Sequence, residues 1–175
     1  DGTSFVAGRW QRLVFGPSPY ATSLFRDRDG RPCMISWLRE APARREHAAG
    51  WSGAHSLVAL LGIDGSRGVV ASPHPAVPAS GVFTHGSQPR DLVEVDCGVP
   101  CHVTVAHARP LEVRAGQRCL ARIRRSKAPG LVIDRPGAAP DLMPCRAGDQ
   151  IELFLDADIL EIFSGGRYGA WRLNG

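Results

Sequence analysis

The sequence predicts an all-β fold assembled from antiparallel hairpins, and three observations carry that prediction. Apolar and polar residues alternate with period two along most of the chain, glycine-containing turns separate the alternating runs, and helical composition is confined to one short segment. From the N-terminus, the aromatic stretch around Tyr20 and Phe25 leads into an Asp29-Gly30 turn. Residues 39–49, rich in Glu, Ala and Arg, are the one helix candidate. Pro42 inside that segment and Gly50 after it limit it to a short helix or an excursion loop. Asp64-Gly65 marks a further turn, and residues 71–81, with Pro73, Pro75 and Pro78, cannot hold a central strand and read as a linker. Beyond residue 91, Val93 and Val95 alternate with Glu94 and Asp96, and Val103 and Val105 with His102 and Thr104. Ile151, Leu153 and Leu155 alternate with Glu152 and Asp156, and only Phe154 breaks the pattern. Turns at Ala115-Gly116, Pro136-Gly137, Ala147-Gly148 and Gly165-Gly166 give this half the strand spacing of a β-sandwich.

Composition narrows the function classes. The 20 glycines and 14 prolines, about one residue in five, suit a chain built from turns. Twenty-one basic and 17 acidic residues give a net charge of +4, and Lys127 is the only lysine. The one basic run, Arg122-Ile123-Arg124-Arg125-Ser126-Lys127, has no interleaved aromatics and reads as a solvated strand edge, so no nucleic-acid partner is expected. No apolar run is long enough to span a membrane, and the opening Asp1-Gly2-Thr3-Ser4 is not a signal peptide; the compartment stays unassigned. Five cysteines, at 33, 97, 101, 119 and 145, do not make a complete disulfide framework. Cys97-x3-Cys101-His102 with His107 is the only zinc-like grouping. Strand alternation sends the two histidines to opposite faces, so no metal or other cofactor is expected. Asp27/Asp29 and Asp156/Asp158 are paired acids that fall in turns, where solvation would keep them ordinary.

Two blocks of sequence carry a resemblance. The first is Tyr20-Ala21-Thr22-Ser23-Leu24-Phe25, then Met34-Ile35-Ser36-Trp37-Leu38, then Trp51-Ser52-Gly53-Ala54-His55-Ser56-Leu57. The second is Ile151-Glu152-Leu153-Phe154-Leu155-Asp156-Ala157-Asp158-Ile159-Leu160-Glu161-Ile162-Phe163, followed by Gly165-Gly166-Arg167-Tyr168. In order and spacing they resemble the C-terminal portion of glycoside hydrolase family 32, the β-fructofuranosidases that include invertases, levanases and inulinases. The family's Phe-Tyr-Ala, Gly-Trp-Met and Trp-x-Gly-x-x-Ser-Leu-Pro stretches have counterparts here, with Pro19 for Phe, Ser18 for an acid, Ser36 for Gly and Val58 for Pro.

The resemblance implies a partial five-bladed β-propeller, its last blade at 1–72, a Pro-rich linker at 73–90 and an antiparallel β-sandwich at 91–175. It also implies a fructosyl carbohydrate, sucrose or a fructan, as the partner of the parent enzyme. The family's catalytic motifs, Trp-Met-Asn-Asp-Pro-Asn-Gly, Arg-Asp-Pro and Glu-Cys-Pro, are not found: Arg26-Asp27 is followed by Arg28 and Arg90-Asp91 by Leu92. No catalytic residue is therefore assigned, since retaining hydrolysis needs two carboxylates roughly 5 Å apart. The substrate-binding candidates that the resemblance supplies are Trp37, Tyr20, Ser18 and Ser23. Tyr20 is read first as a packing residue, as are Trp51 and Trp171, and Arg39 and Glu40 as a surface ion pair. The alternatives are a fructan-binding module within 91–175, or a purely structural sandwich. The family normally continues past residue 173 by one or two strands, so an exposed edge and self-association are expected.

Overall fold

The computed structural model describes residues 10–40, 52–79, 84–87, 93–94, 100–105 and 110–173, with isolated positions 2, 4 and 8 before them. The helix candidate at 39–49, Trp51, Cys97 and His107 fall wholly or largely outside the described residues. Those described form three sheets and one short helix, α1 (Ala76–Ala79), an all-β architecture as the alternation predicts.

Sheet I is six-stranded, in the order β1 (Val14–Phe15), β16 (Arg167–Arg172), β15 (Ile159–Ser164), β14 (Ile151–Asp156), β9 (Cys101–Val105), β7 (Thr84–Ser87). Sheet II runs β13 (Asp141–Met143), β12 (Leu131–Asp134), β11 (Arg118–Arg125), β10 (Leu111–Ala115), β8 (Val93–Glu94). Sheet III runs β2 (Pro19–Arg26), β3 (Pro32–Leu38), β5 (Ala59–Asp64), β6 (Gly68–Pro73), with β4 (Ala54–His55) beside β3. Most pairings are antiparallel; β1 with β16, β7 with β9, and β8 with β10 are parallel.

Sheet I is the middle layer. One face, with Ile151, Leu153, Leu155, Leu160, Ile162 and Trp171, packs on Leu111, Val113, Leu120, Ile123, Leu131 and Ile133 of sheet II. The other face, with Phe154, Phe163, Tyr168 and Ala170, packs on Met34, Leu38, Ala59 and Ala71 of sheet III. This explains Phe154, the residue that breaks the alternation: a strand covered on both sides has no solvent face, so both parities turn apolar. β15 and β16 are accordingly buried at five positions out of six. Each large apolar side chain taken wholly out of water stabilises the stack by about 1.5–3 kcal/mol.

The turns are where the glycines place them. Gly165 and Gly166, with φ of 60° and 75°, form the two-residue loop joining β15 to β16, the combination a type I′ hairpin demands. Two arginines of the basic run are neutralised: Arg122 pairs with Glu112, and Arg124 with Asp134 at 2.9 Å, across neighbouring strands. No helix among the described residues is long and apolar enough to cross a membrane.

Candidate functional site

Tyr20 and Trp37 face each other across the β2–β3 pair. Their rings meet edge to face, with centroids 6.0 Å apart and planes at 68°. The strand register slips between Tyr20 and Ser23, and Ala21 at the slip takes a left-handed φ of 47°. Arg39 lies 5.0 Å over the Tyr20 ring and donates to the Pro17 carbonyl at 3.0 Å, clamping the ring from behind. Tyr20 is 54% exposed and Trp37 36%, so Tyr20 is not the packing residue its aromatic character suggested. Ser23 is exposed opposite Ile35, whereas Ser18 is 4% exposed, its carbonyl accepting the Arg39 amide at 3.0 Å.

The indole is seated by residues 52–57. Trp37 Nε1 donates to the Ser52 carbonyl at 3.4 Å, and the Cα of Gly53, at φ 76°, lies so close that a Cβ would collide with the indole. Gly53 N donates to Glu40 Oε1 at 3.0 Å, and Ser56 Oγ accepts the Ser36 amide at 2.9 Å. Gly53→Ala is therefore expected to displace Trp37 and cost about 1–3 kcal/mol from backbone strain alone. Tryptophan fluorescence and thermal melting would check this, an unshifted spectrum and melt counting against the seating.

Carboxylates near this site are committed elsewhere. Glu40 and Asp158 share one guanidinium, that of Arg172, at 3.3 and 2.8 Å. Glu40 thus bridges to sheet I instead of pairing with Arg39. Asp27 also departs from the sequence expectation of an ordinary turn acid. Partial burial would raise its pKa, but the Arg31 side chain at 2.6 Å, the Arg31 backbone and His74 at 3.1 Å outweigh that and hold it well below the usual range.

Asp27, Cys33 and His74 bring their ligand atoms within 4.8 Å of one another, a grouping the sequence reading missed because 47 residues separate its ends. Three features oppose a cation there. Arg31 already supplies the positive charge, and the Ala76 amide donates to His74 Nδ1 at 3.1 Å, which leaves the proton on Nε2, aimed at Asp27. Burial also pushes the Cys33 thiol up, away from thiolate. The cluster therefore works as a pin joining the β2–β3 turn to the end of β6.

Glu161 is the second group that periodicity did not reveal. It is 5% exposed between sheets I and III and accepts the Leu57 amide at 3.0 and 3.1 Å and the Tyr168 hydroxyl at 2.6 Å. Burial raises its pKa to about 7 against these bonds. A polar residue between Leu160 and Ile162 in a strand buried on both faces was the available signal.

No family model matches the sequence, and no curated protein is significantly similar to it. Solved structures do match. A Bombyx mori GH32 β-fructofuranosidase superposes with a TM-score of 0.62 at 20% identity, over 93% of this chain and 37% of that one. Sucrose-6-phosphate hydrolase from Lactobacillus gasseri gives 0.64 at 19% identity, over 91% and 37%. Fructan 1-exohydrolase IIa from Cichorium intybus, solved with 1-kestose, gives 0.61 at 13% identity, over 93% and 43%. The chain spans less than half the length of each of these enzymes. Its three sheets have the fold of part of a glycoside hydrolase family 32 enzyme.

Proposed function

We propose that this chain is the C-terminal portion of a β-fructofuranosidase acting on sucrose or fructans, comprising a last propeller blade at 1–72, a linker at 73–90 and a β-sandwich at 91–175. The observation that carries the reading is the agreement of two sequence blocks with a structural likeness covering 93% of this chain but 37% of the Bombyx mori enzyme. The outer strand β2 supports it: from Tyr20 to Arg26 every residue is exposed, including Leu24 at 71% and Phe25 at 40%. That is the apolar edge another blade would cover. Left uncovered, it favours self-association.

By itself the chain contributes one wall of a sugar site, Tyr20 and Trp37 with Ser23 at its rim, and none of the family's catalytic motifs. Incubating it with sucrose, inulin and levan is expected to release no fructose; turnover retained through repurification would overturn the proposal. Within 91–175 the structural role is preferred to a separate fructan-binding module. The described aromatics there, Phe154, Phe163, Tyr168 and Trp171, are all buried and offer no stacking platform.

A further inference from the structure

We propose that Arg67, Arg146 and Arg167 form a binding site for a phosphate group, free or carried by a phosphomonoester, at the seam between sheets I and III. The three residues come from separate parts of the chain. Arg67 lies on the β5–β6 turn, Arg146 on the connection before β14, and Arg167 at the start of β16. Together with Ser66, Asp149 and Gly165 they line a cleft of about 240 Å³.

Arg67 is paired with a carboxylate, whereas the hydrogen bonds that orient Arg146 and Arg167 go to neutral oxygens. Arg67 donates to Asp149 Oδ1 at 2.7 Å. Arg146 donates to Ser66 Oγ and to the Ser66 carbonyl, both at 3.2 Å. Arg167 donates to the Val69 carbonyl at 2.9 Å and the Arg67 carbonyl at 3.4 Å. Among the described residues neither Arg146 nor Arg167 has a carboxylate partner. Among the described residues Asp149 is the one acid lining the cleft, and its other oxygen accepts the Arg146 amide at 2.6 Å. Asp64, in the adjoining cleft, is bound into its own turn by the Ser66 and Arg67 amides.

Among the described residues the cleft lining therefore holds two positive charges more than negative. Burial, and then repulsion from Arg67 and Arg146, pull the Arg167 pKa down. Crowding like charges costs free energy that a bound anion would offset, and forked guanidinium donors suit a tetrahedral oxyanion of about two negative charges. The anion would also tie sheet III, through Arg67, to sheet I, through Arg167.

The test is a titration of the 175-residue chain with inorganic phosphate and, separately, glycerol 3-phosphate, read by calorimetry and thermal melting against sodium chloride at equal ionic strength. Saturable binding and a rising melting temperature are expected with both. Tighter binding of the ester would identify a phosphomonoester as the natural occupant, and equal binding would identify free phosphate. Arg146→Gln, at an exposed position, is expected to weaken binding at least tenfold, and the double variant with Arg167→Gln to abolish it. No saturable heat from either anion, a melting shift that chloride reproduces, or unchanged affinity in Arg146→Gln would overturn the site. The wild-type titration and the Arg146 variant decide the matter even where the double variant does not fold.

Discussion

Between pH 5 and 8 the folded chain is expected to lose stability through Glu161. In the folded state its carboxyl keeps a proton to about pH 7, against an ordinary value of 4.5. In that window the folded state binds the extra proton, so stability falls as pH rises from the lower value through the higher one. At 1.36 kcal/mol per pH unit, the gap is worth about 3 kcal/mol. The acids held below their ordinary values, Asp27, Asp64, Glu112 and Asp149, act in the opposite sense and only at more acid pH. Glu161→Gln keeps an acceptor for the Leu57 amide without the titration and should flatten the slope measured by urea denaturation at pH 5, 6, 7 and 8. Glu161→Ala removes the acceptor for both Leu57 N and Tyr168 Oη, and two buried donors left short cost about 2–5 kcal/mol. An identical slope in Glu161→Gln would falsify the assignment.

Trp171→Ala is expected to be at least as damaging. The side chain is fully buried between sheets I and II, and its Nε1 donates to Asp141 Oδ2 at 2.9 Å, an oxygen that also accepts from Arg135 at 3.1 Å. Truncation to alanine in such a core costs about 3–5 kcal/mol, comparable to the whole stability of many domains. Trp171→Phe keeps most of the packing and gives up the hydrogen bond, so its loss should be the smaller. Chemical denaturation followed by near-ultraviolet circular dichroism would rank the two, and an alanine variant within about 1 kcal/mol of the parent would contradict the packing described.

What could be read from the residues followed local rules. Alternation located β9 and β14, and the Gly-Gly pair located the β15–β16 turn, because period and turn chemistry act over a few residues. The edge-to-face contact of Tyr20 and Trp37 joins residues the resemblance had already singled out, but their exposure was not readable, since it depends on what packs on β2. Arg67, Arg146 and Arg167 escaped for a different reason: they meet only after three hairpins have closed. Asp27 reads as an ordinary turn acid because His74, which joins Arg31 in holding it, is 47 residues away, and Glu161, though flanked by Leu160 and Ile162, declares its burial only once the second sheet is in place.

The parallel pairing of β1 with β16 has a consequence for how the chain is made. Val14 finds its strand partner in Tyr168, so this edge of the sheet cannot pair until residue 168 has left the ribosome. The same holds for Leu57, whose acceptor Glu161 is synthesised 104 residues later. Throughout that interval Met34, Leu38 and Ala59 have no second layer, and the nascent chain carries an uncovered apolar sheet. Long-range closure of this kind slows folding and lengthens exposure to aggregation. Chaperone demand during synthesis should accordingly persist until the β15–β16 hairpin has emerged.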